Sequence, residues 1–299
     1  MPDHDDIPDY HGSSVPASTA LPEQGSRLNV LLVTRGHPFD RDTFFDIFES
    51  NPDIQYSNVE HPAAQFMYNP EMAEKFDCYV QYDMPGVQFG ADGPEYSEPP
   101  EFYKEGLREM GEAGCPLVIM HHAAAAWPAW PEWAEIVGGQ FLYTPMQSRG
   151  IEQPDSGYNI DVSHRVSPAM DHPITRGIEP FEIVDEVYLS EVFEDSVIPL
   201  FTSNWTFSRD HFYSAANAVI DGQLNSNAGW DHKDGSNLVG WIKAYKNSPV
   251  VYLQFGDGPV AYKNPNFRRI LAQAIQWASS AEARAWATEI NSTRDKQKT

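Results

Sequence analysis

Short apolar runs alternate with amphipathic stretches through the first half of the chain. LNVLLVT (28–34) is a run of aliphatic and β-branched residues and predicts a buried strand. RDTFFDIFES follows, with Phe44, Ile47 and Phe48 at helical spacing, and Asn51-Pro52 ends it. IQYSNVE (54–60) alternates like a short strand, and NPEMAEKF (69–76) predicts a helix with Asn69 as cap and Pro70 at its first position. CYVQYDM (78–84) is a third strand, closed by Asp83-Met84-Pro85-Gly86. A helix over 98–114 starts near Ser97 and stops at Gly114. PLVIMHH (116–122) is a fourth strand, and PEWAEIVGG (131–139) a further helix with a glycine stop. Strands and helices taking turns at this spacing imply parallel βαβ units, hence a sheet covered on both faces.

The pattern changes over 140–235. GYNIDVSHRV, FEIVDEVYLSEVF and VIPLFTSN are strand-like with few helical periods between them, which predicts an antiparallel extension of the same sheet. Residues 202–237, rich in Asn, Ser, Asp and Gly, read as a long loop or lid. LVGWIKAY and PVVYLQFG then flank Lys246-Asn247-Ser248 as a hairpin. NPNFRRILAQAIQWASS closes the pattern as a helix capped by Asn264, with Phe267, Ile270, Leu271, Ala274, Ile275 and Ala278 on one side. No linker splits the chain. The expected organisation is a disordered arm over 1–27, one domain over 28–281 and a tail over 282–299.

Composition narrows the partners. The 299 residues are 41% hydrophobic and 13% aromatic, enough for a sizeable core. A net charge of −23 and the lack of a Lys/Arg-rich run argue against nucleic acid and anionic membranes. The first 27 residues have neither the basic start nor the apolar stretch of a signal peptide. No segment reaches the apolar length of a membrane span. Cys78 and Cys115, each beside a predicted strand, read as buried thiols, which fits a reducing, cytoplasmic setting.

Open α/β sheets bind ligands beyond the carboxyl ends of their strands. Three such ends here are polar: Gly36-His37-Pro38-Phe39-Asp40-Arg41, then Asp83, then His121-His122. Parallel topology pools them on one edge. Simpler roles compete for each: a capping role for His37 and Asp40, solvation for Arg41, turn chemistry for Asp83. His121 and His122 are neighbours and point to opposite sides, so one should face the cleft and the other pack elsewhere. The same rule separates Asp185 from Glu186 in the strand that also carries Tyr188. Asp257 lies between glycines at another strand end, ahead of a helix N-terminus that favours anions. There is no G-x-G-x-x-G after the first strand, no phosphate-binding G-x-x-x-x-G-K-[ST] and no G-x-S-x-G elbow. Both cysteines precede strands, so neither is presented as a nucleophile.

The order of these pieces resembles the ThuA-like (trehalose-utilisation) family over residues 28–280. It is carried by Gly36-His37, His121-His122-Ala123, the turn from His172-Pro173-Ile174 to Gly177, Asp185-Glu186-x-Tyr188, and the closing VVYLQFGDGPVAYKNPNFRRILAQAIQWA. The resemblance implies a flavodoxin-like, class I glutamine amidotransferase-like α/β fold. That is a three-layer sandwich with a mostly parallel sheet and an antiparallel extension. It also implies loss of the superfamily's cysteine nucleophile, whose place at the fourth strand end is taken by His121-His122. Members often carry Gly-His in the closing turn. This chain has Gly256-Asp257 there, which puts in doubt any role that needs an imidazole at that point.

Two classes of function follow. In a carbohydrate-processing enzyme, His37, His121, His122 and one of Asp185/Glu186, with Glu186 preferred, carry the chemistry. Arg41, Asp83, Trp127, Asp185, Tyr188 and Asp257 hold the sugar, and Trp130 and Trp205 offer further aromatic faces. A variant of this reading adds a divalent metal, zinc or similar, although no H-E-x-x-H spacing is present. The alternative is a non-catalytic sugar-binding or regulatory module. Either could work as a homo-oligomer. If the end of the first strand is a wall of the cleft, His37 lies within one ligand's width of His121 or His122.

Overall fold

β1 (Leu28–Arg35), β2 (Ile54–Glu60), β3 (Cys78–Asp83) and β4 (Leu117–Met120) are the four strands expected from the first half. The structure, a computed structural model, describes residues 27–298; the arm expected over 1–27 lies, apart from Arg27, outside the described residues. β1 pairs with β2 and β3, β3 pairs with β4, and all three pairings are parallel. β3 and β4 are buried on both faces, so they read as continuous apolar runs. β2 is an edge strand and alternates.

The crossover helices form as their spacing requires. α1 (Arg41–Glu49) buries Phe44, Ile47 and Phe48, and Asp40 caps it by accepting the Thr43 N–H at 2.9 Å. α2 (Pro70–Ala73) is capped by Asn69 as expected but lasts a single turn. It buries no residue, so nothing sustains a longer helix. α3 (Glu101–Ala113) ends at Gly114, whose φ of 80° only glycine adopts readily, and α4 (Pro131–Val137) ends at Gly138. α1 packs on one face of the sheet, burying Phe44 with Tyr82; α3 and α4 pack on the other, burying Tyr103, Leu107 and Trp133 with Tyr79.

β5 (Gly157–Pro168), β6 (Phe181–Leu189), β7 (Ile198–Ser203) and β8 (Leu238–Tyr245) are the antiparallel extension. β9 (Ser248–Leu253) forms the expected hairpin with β8 and pairs parallel with β4. The order across the sheet is β6-β5-β7-β8-β9-β4-β3-β1-β2. The segment expected as a loop or lid is tied down. Its Tyr213–Ser214 pairs with β5, Ala215–Val219 is a short helix, and Arg209 donates to the carbonyls of Trp230 and Asn227.

α5 (Pro259–Tyr262) and α6 (Pro265–Ala278) follow β9, with α6 on the α1 face. The segment expected as a tail is instead a helix, α7 (Ala281–Lys298). Ala283 and Ala287 are buried and Trp286 packs against Trp277 with ring centroids 5.4 Å apart, so an apolar stripe holds it against the core. Cys78 and Cys115 are free and buried near the amino ends of β3 and β4, away from the strand ends where polar residues collect. Among the described residues no helix is long and apolar enough to cross a membrane.

Candidate functional site

β4 ends at Met120, and His121 takes a φ of 46° to begin a tight turn through Ala125. The turn splays the two histidines, whose rings lie 5.6 Å apart at 82°. His121 Nδ1 is 2.6 Å from the carbonyl oxygen of Gln254, just past β9. A carbonyl only accepts, so Nδ1 carries a hydrogen. Around Nε2 stand the Tyr188 hydroxyl at 2.7 Å, Glu186 Oε2 at 3.0 Å and Asp257 Oδ1 at 3.4 Å. Tyr252 donates to the His121 carbonyl at 3.0 Å and holds the turn in place.

His121 is wholly buried. Burial opposes its charge, but hydrogen bonds to Asp257 and Glu186 outweigh it and hold the imidazole pKa well above its ordinary value. For Asp257 burial works against ionisation, and the bond to His121 wins, leaving its carboxyl below the usual range. Burial pushes the Tyr188 phenol well up, so its hydroxyl stays protonated. The cluster meets solvent through its carboxylates: the Glu186 side chain is 12% exposed and that of Asp257 30%.

Asp185, expected as a substrate contact, is committed elsewhere. It accepts the backbone N–H groups of Gly256 at 2.7 Å, Asp257 at 2.9 Å and Glu186 at 3.0 Å. Burial still dominates and raises its pKa to about 6. Asp185 therefore fixes the turn that presents Asp257, while Glu186, its neighbour, reaches His121.

His37 and His122 form an adjoining wall, with ring centroids 4.7 Å apart, well inside one ligand's width. His122 also lies 4.2 Å from the Tyr82 ring. Both nitrogens of His122 and Nδ1 of His37 are buried without a hydrogen-bond partner among the described residues. Burial, helped by the neighbouring histidines, drives the His122 pKa well down and keeps it neutral. Gly36 makes the wall possible: at its φ of 101° a Cβ would stand 2.6 Å from the Met84 carbonyl oxygen.

Three predicted residues are not brought to His121. Arg41 is exposed, paired with Glu60 at 3.1 Å and laid over Phe39 and Phe45. Asp83 leaves β3 on the opposite face from Tyr82, and its Oδ2 lies 2.8 Å from His61 Nε2. Trp127 is buried beside His61 and Tyr103, because the turn after His121 directs it into the α3 layer. Trp130 is also in that layer, and Trp205 packs against His211. His61 was missed by sequence reasoning. Its signal was present, since His61-Pro62 follows β2 just as His37-Pro38 follows β1.

His121 Nε2, Glu186 and Asp257 each offer one ligand atom, and these atoms lie within 4.8 Å of one another. One imidazole and two carboxylates, with the second ring nitrogen held by a carbonyl, form a donor set that fits a zinc-like divalent ion.

Comparisons with known proteins agree with this architecture. The family whose model matches residues 48–278 is ThuA, described as trehalose utilisation. A ThuA-like protein from Parabacteroides merdae ATCC 43184 superposes with a TM-score of 0.62 at 15% identity, covering 85% of this chain and 90% of that one. A ThuA-like protein from Bacteroides uniformis ATCC 8492 gives 0.54 at 16% identity, covering 88% and 94%. The cytoplasmic protein STM3548 from Salmonella typhimurium gives 0.52 at 10% identity, covering 84% and 99%. Among curated proteins no match is found. The fold class is the one the sequence implied, an α/β sandwich whose large sheet joins parallel strands to an antiparallel extension.

Proposed function

The chain belongs to the ThuA, trehalose utilisation, family, and on that premise we propose that it processes a carbohydrate, trehalose or a related glycoside, at the His121–Glu186–Asp257 cluster. The observation that carries this reading is the pairing of His121 Nε2 with two carboxylates. With Nδ1 committed to the Gln254 carbonyl, Nε2 exchanges protons with Glu186 and Asp257, while the Tyr188 hydroxyl hydrogen-bonds beside them. The two carboxylates are the solvent-facing members, so they meet the hydroxyls of the sugar. His121, behind them, holds the proton that one carboxylate gives or takes. His37 and the neutral His122 offer hydrogen bonds to the same ligand.

A divalent ion belongs to this reading as a variant. His121, Glu186 and Asp257 would hold it. When bound it supplies polarisation of a sugar oxygen or activation of a water. A cytoplasmic location is also part of the proposal. The two free, buried cysteines and the likeness to the Salmonella protein support it.

The test is to incubate the protein with trehalose and a panel of glucosides, once with chelator and once with added zinc or manganese. Anomeric proton signals report conversion, and elemental analysis of the purified protein reports metal. Conversion by the wild type should fall by about 100-fold or more in Glu186→Gln and Asp257→Asn, the range expected for loss of an acid–base group. Binding without conversion under every condition would refute the enzyme and leave a sugar-binding module.

A further inference from the structure

A second concavity opens on the other face of the same sheet edge. It measures about 450 Å³, within the range of small-molecule sites, and is lined by Arg35, His61, Gln65, Gln88, Glu98 and Trp127 among others. His61 is 8% exposed, and Asp83 behind it is 3% exposed. Asp83 Oδ2 approaches His61 Nε2 to 2.8 Å, yet off the line of a hydrogen bond. Neither nitrogen of His61 nor Oδ1 of Asp83 has a hydrogen-bond partner among the described residues. Trp127 Nε1, whose ring lines the concavity, is likewise unpartnered. Buried polar atoms are nearly always satisfied, so unpartnered ones gathered beside a concavity are a binding signature.

The chemistry of these atoms selects the ligand. An imidazole beside a carboxylate turns either a lone pair or an N–H outward, according to its protonation. A hydroxyl satisfies both, because it donates and accepts. Gln65, Gln88 and Ser97 extend the same preference around the rim. The charges there are balanced: Arg35 donates to the His61 carbonyl at 2.8 Å, and Glu98 is paired with Lys104. An anion would face Glu98, and a cation would face Arg35. We infer that His61, backed by Asp83, forms the floor of a second binding site, for a neutral polyhydroxylated ligand the size of a sugar ring. Arg35 and Gly36 border both this site and the depression lined by His37. The second site does not depend on the chemistry proposed at His121.

Trp127 lines the site, and its indole N–H gives one nitrogen–proton NMR signal, assigned by its disappearance in Trp127→Phe. Glucose, trehalose and myo-inositol are each titrated into the full-length protein, with glucose 6-phosphate as the charged comparator. At least one neutral compound should move the Trp127 signal saturably. The affinity should weaken roughly tenfold in His61→Gln, the loss of one buried hydrogen bond. Asp83→Asn should act likewise if it folds; His61→Gln alone decides the matter if it does not. The shift should survive in Glu186→Gln, which separates this site from the His121 cluster. A signal unmoved by all three neutral compounds overturns the inference. So does an affinity unchanged in His61→Gln, or tighter binding of the phosphate ester.

Discussion

His164 offers a quantitative check on the antiparallel half of the sheet. It sits in β5, is 3% exposed, and bonds the Ser203 hydroxyl through Nδ1 at 2.7 Å, while its Nε2 has no partner. Burial lowers its pKa from 6.5 to about 4, with Glu182 opposing weakly. In the unfolded chain it titrates at its ordinary value. Between those two values the unfolded state binds more protons than the native state, so stability rises with pH through that window and falls as pH drops through it. The linkage relation gives a loss of about 2 kcal/mol by about pH 5 and about 3 kcal/mol by about pH 4, relative to neutral pH. His164→Gln keeps a hydrogen-bonding partner for Ser203 and cannot titrate. Urea unfolding of both proteins at several pH values measures the difference directly. The wild type should lose about 2 kcal/mol relative to His164→Gln between about pH 7.5 and about pH 5. A difference that stays constant with pH would refute the claim that burial of this imidazole governs its ionisation.

Two further substitutions separate packing from propensity. Gly106 lies inside α3, where alanine would ordinarily add about 1 kcal/mol of helix stability. Its Cβ would stand 1.9 Å from the Tyr68 carbonyl oxygen, so Gly106→Ala should instead cost roughly 2 kcal/mol, and an unchanged or raised melting temperature would count against the helix–loop contact. Arg41→Ala removes a pair whose side chains are 60% and 41% exposed, so the change in unfolding free energy should stay within about 0.5 kcal/mol. A larger loss would show that the stacking of Arg41 on Phe39 and Phe45 matters more than its exposure suggests.

The parallel half of the sheet was legible because burial on both faces writes itself as uninterrupted apolar runs, as in LVIM of β4. The β8–β9 hairpin and α6 were legible from turn residues and from the cap at Asn264. α7 was not, because its buried stripe is mostly alanine and hides among charged residues. Strand-end logic expected His37, His121 and His122 on one edge, and their rings do lie together. Two-residue periodicity said that Asp185 and Glu186 diverge. It could not say which one meets His121, because that depends on a turn at Gly256 contributed 70 positions later. The same pleat sent Asp83 and Tyr82 to opposite faces, so polar residues pooled on one edge divide between two layers. Trp127 followed the backbone turn at His121, whose positive φ no periodicity foretells.

The position of β9 bears on how the chain reaches this state. Among the described residues it is the only strand that hydrogen-bonds both the parallel half, through β4, and the antiparallel half, through β8. Until residues 248–253 emerge from the ribosome, β4 and β8 each present an unpaired, apolar edge in the middle of the future sheet. The last strand made is thus a keystone. Gln254, Gly256 and Asp257 follow directly on it, so completing the sheet and assembling the polar cluster around His121 are one event. A chain stopped short of β9 is two sticky half-sheets, and it carries none of the geometry on which the proposed chemistry depends.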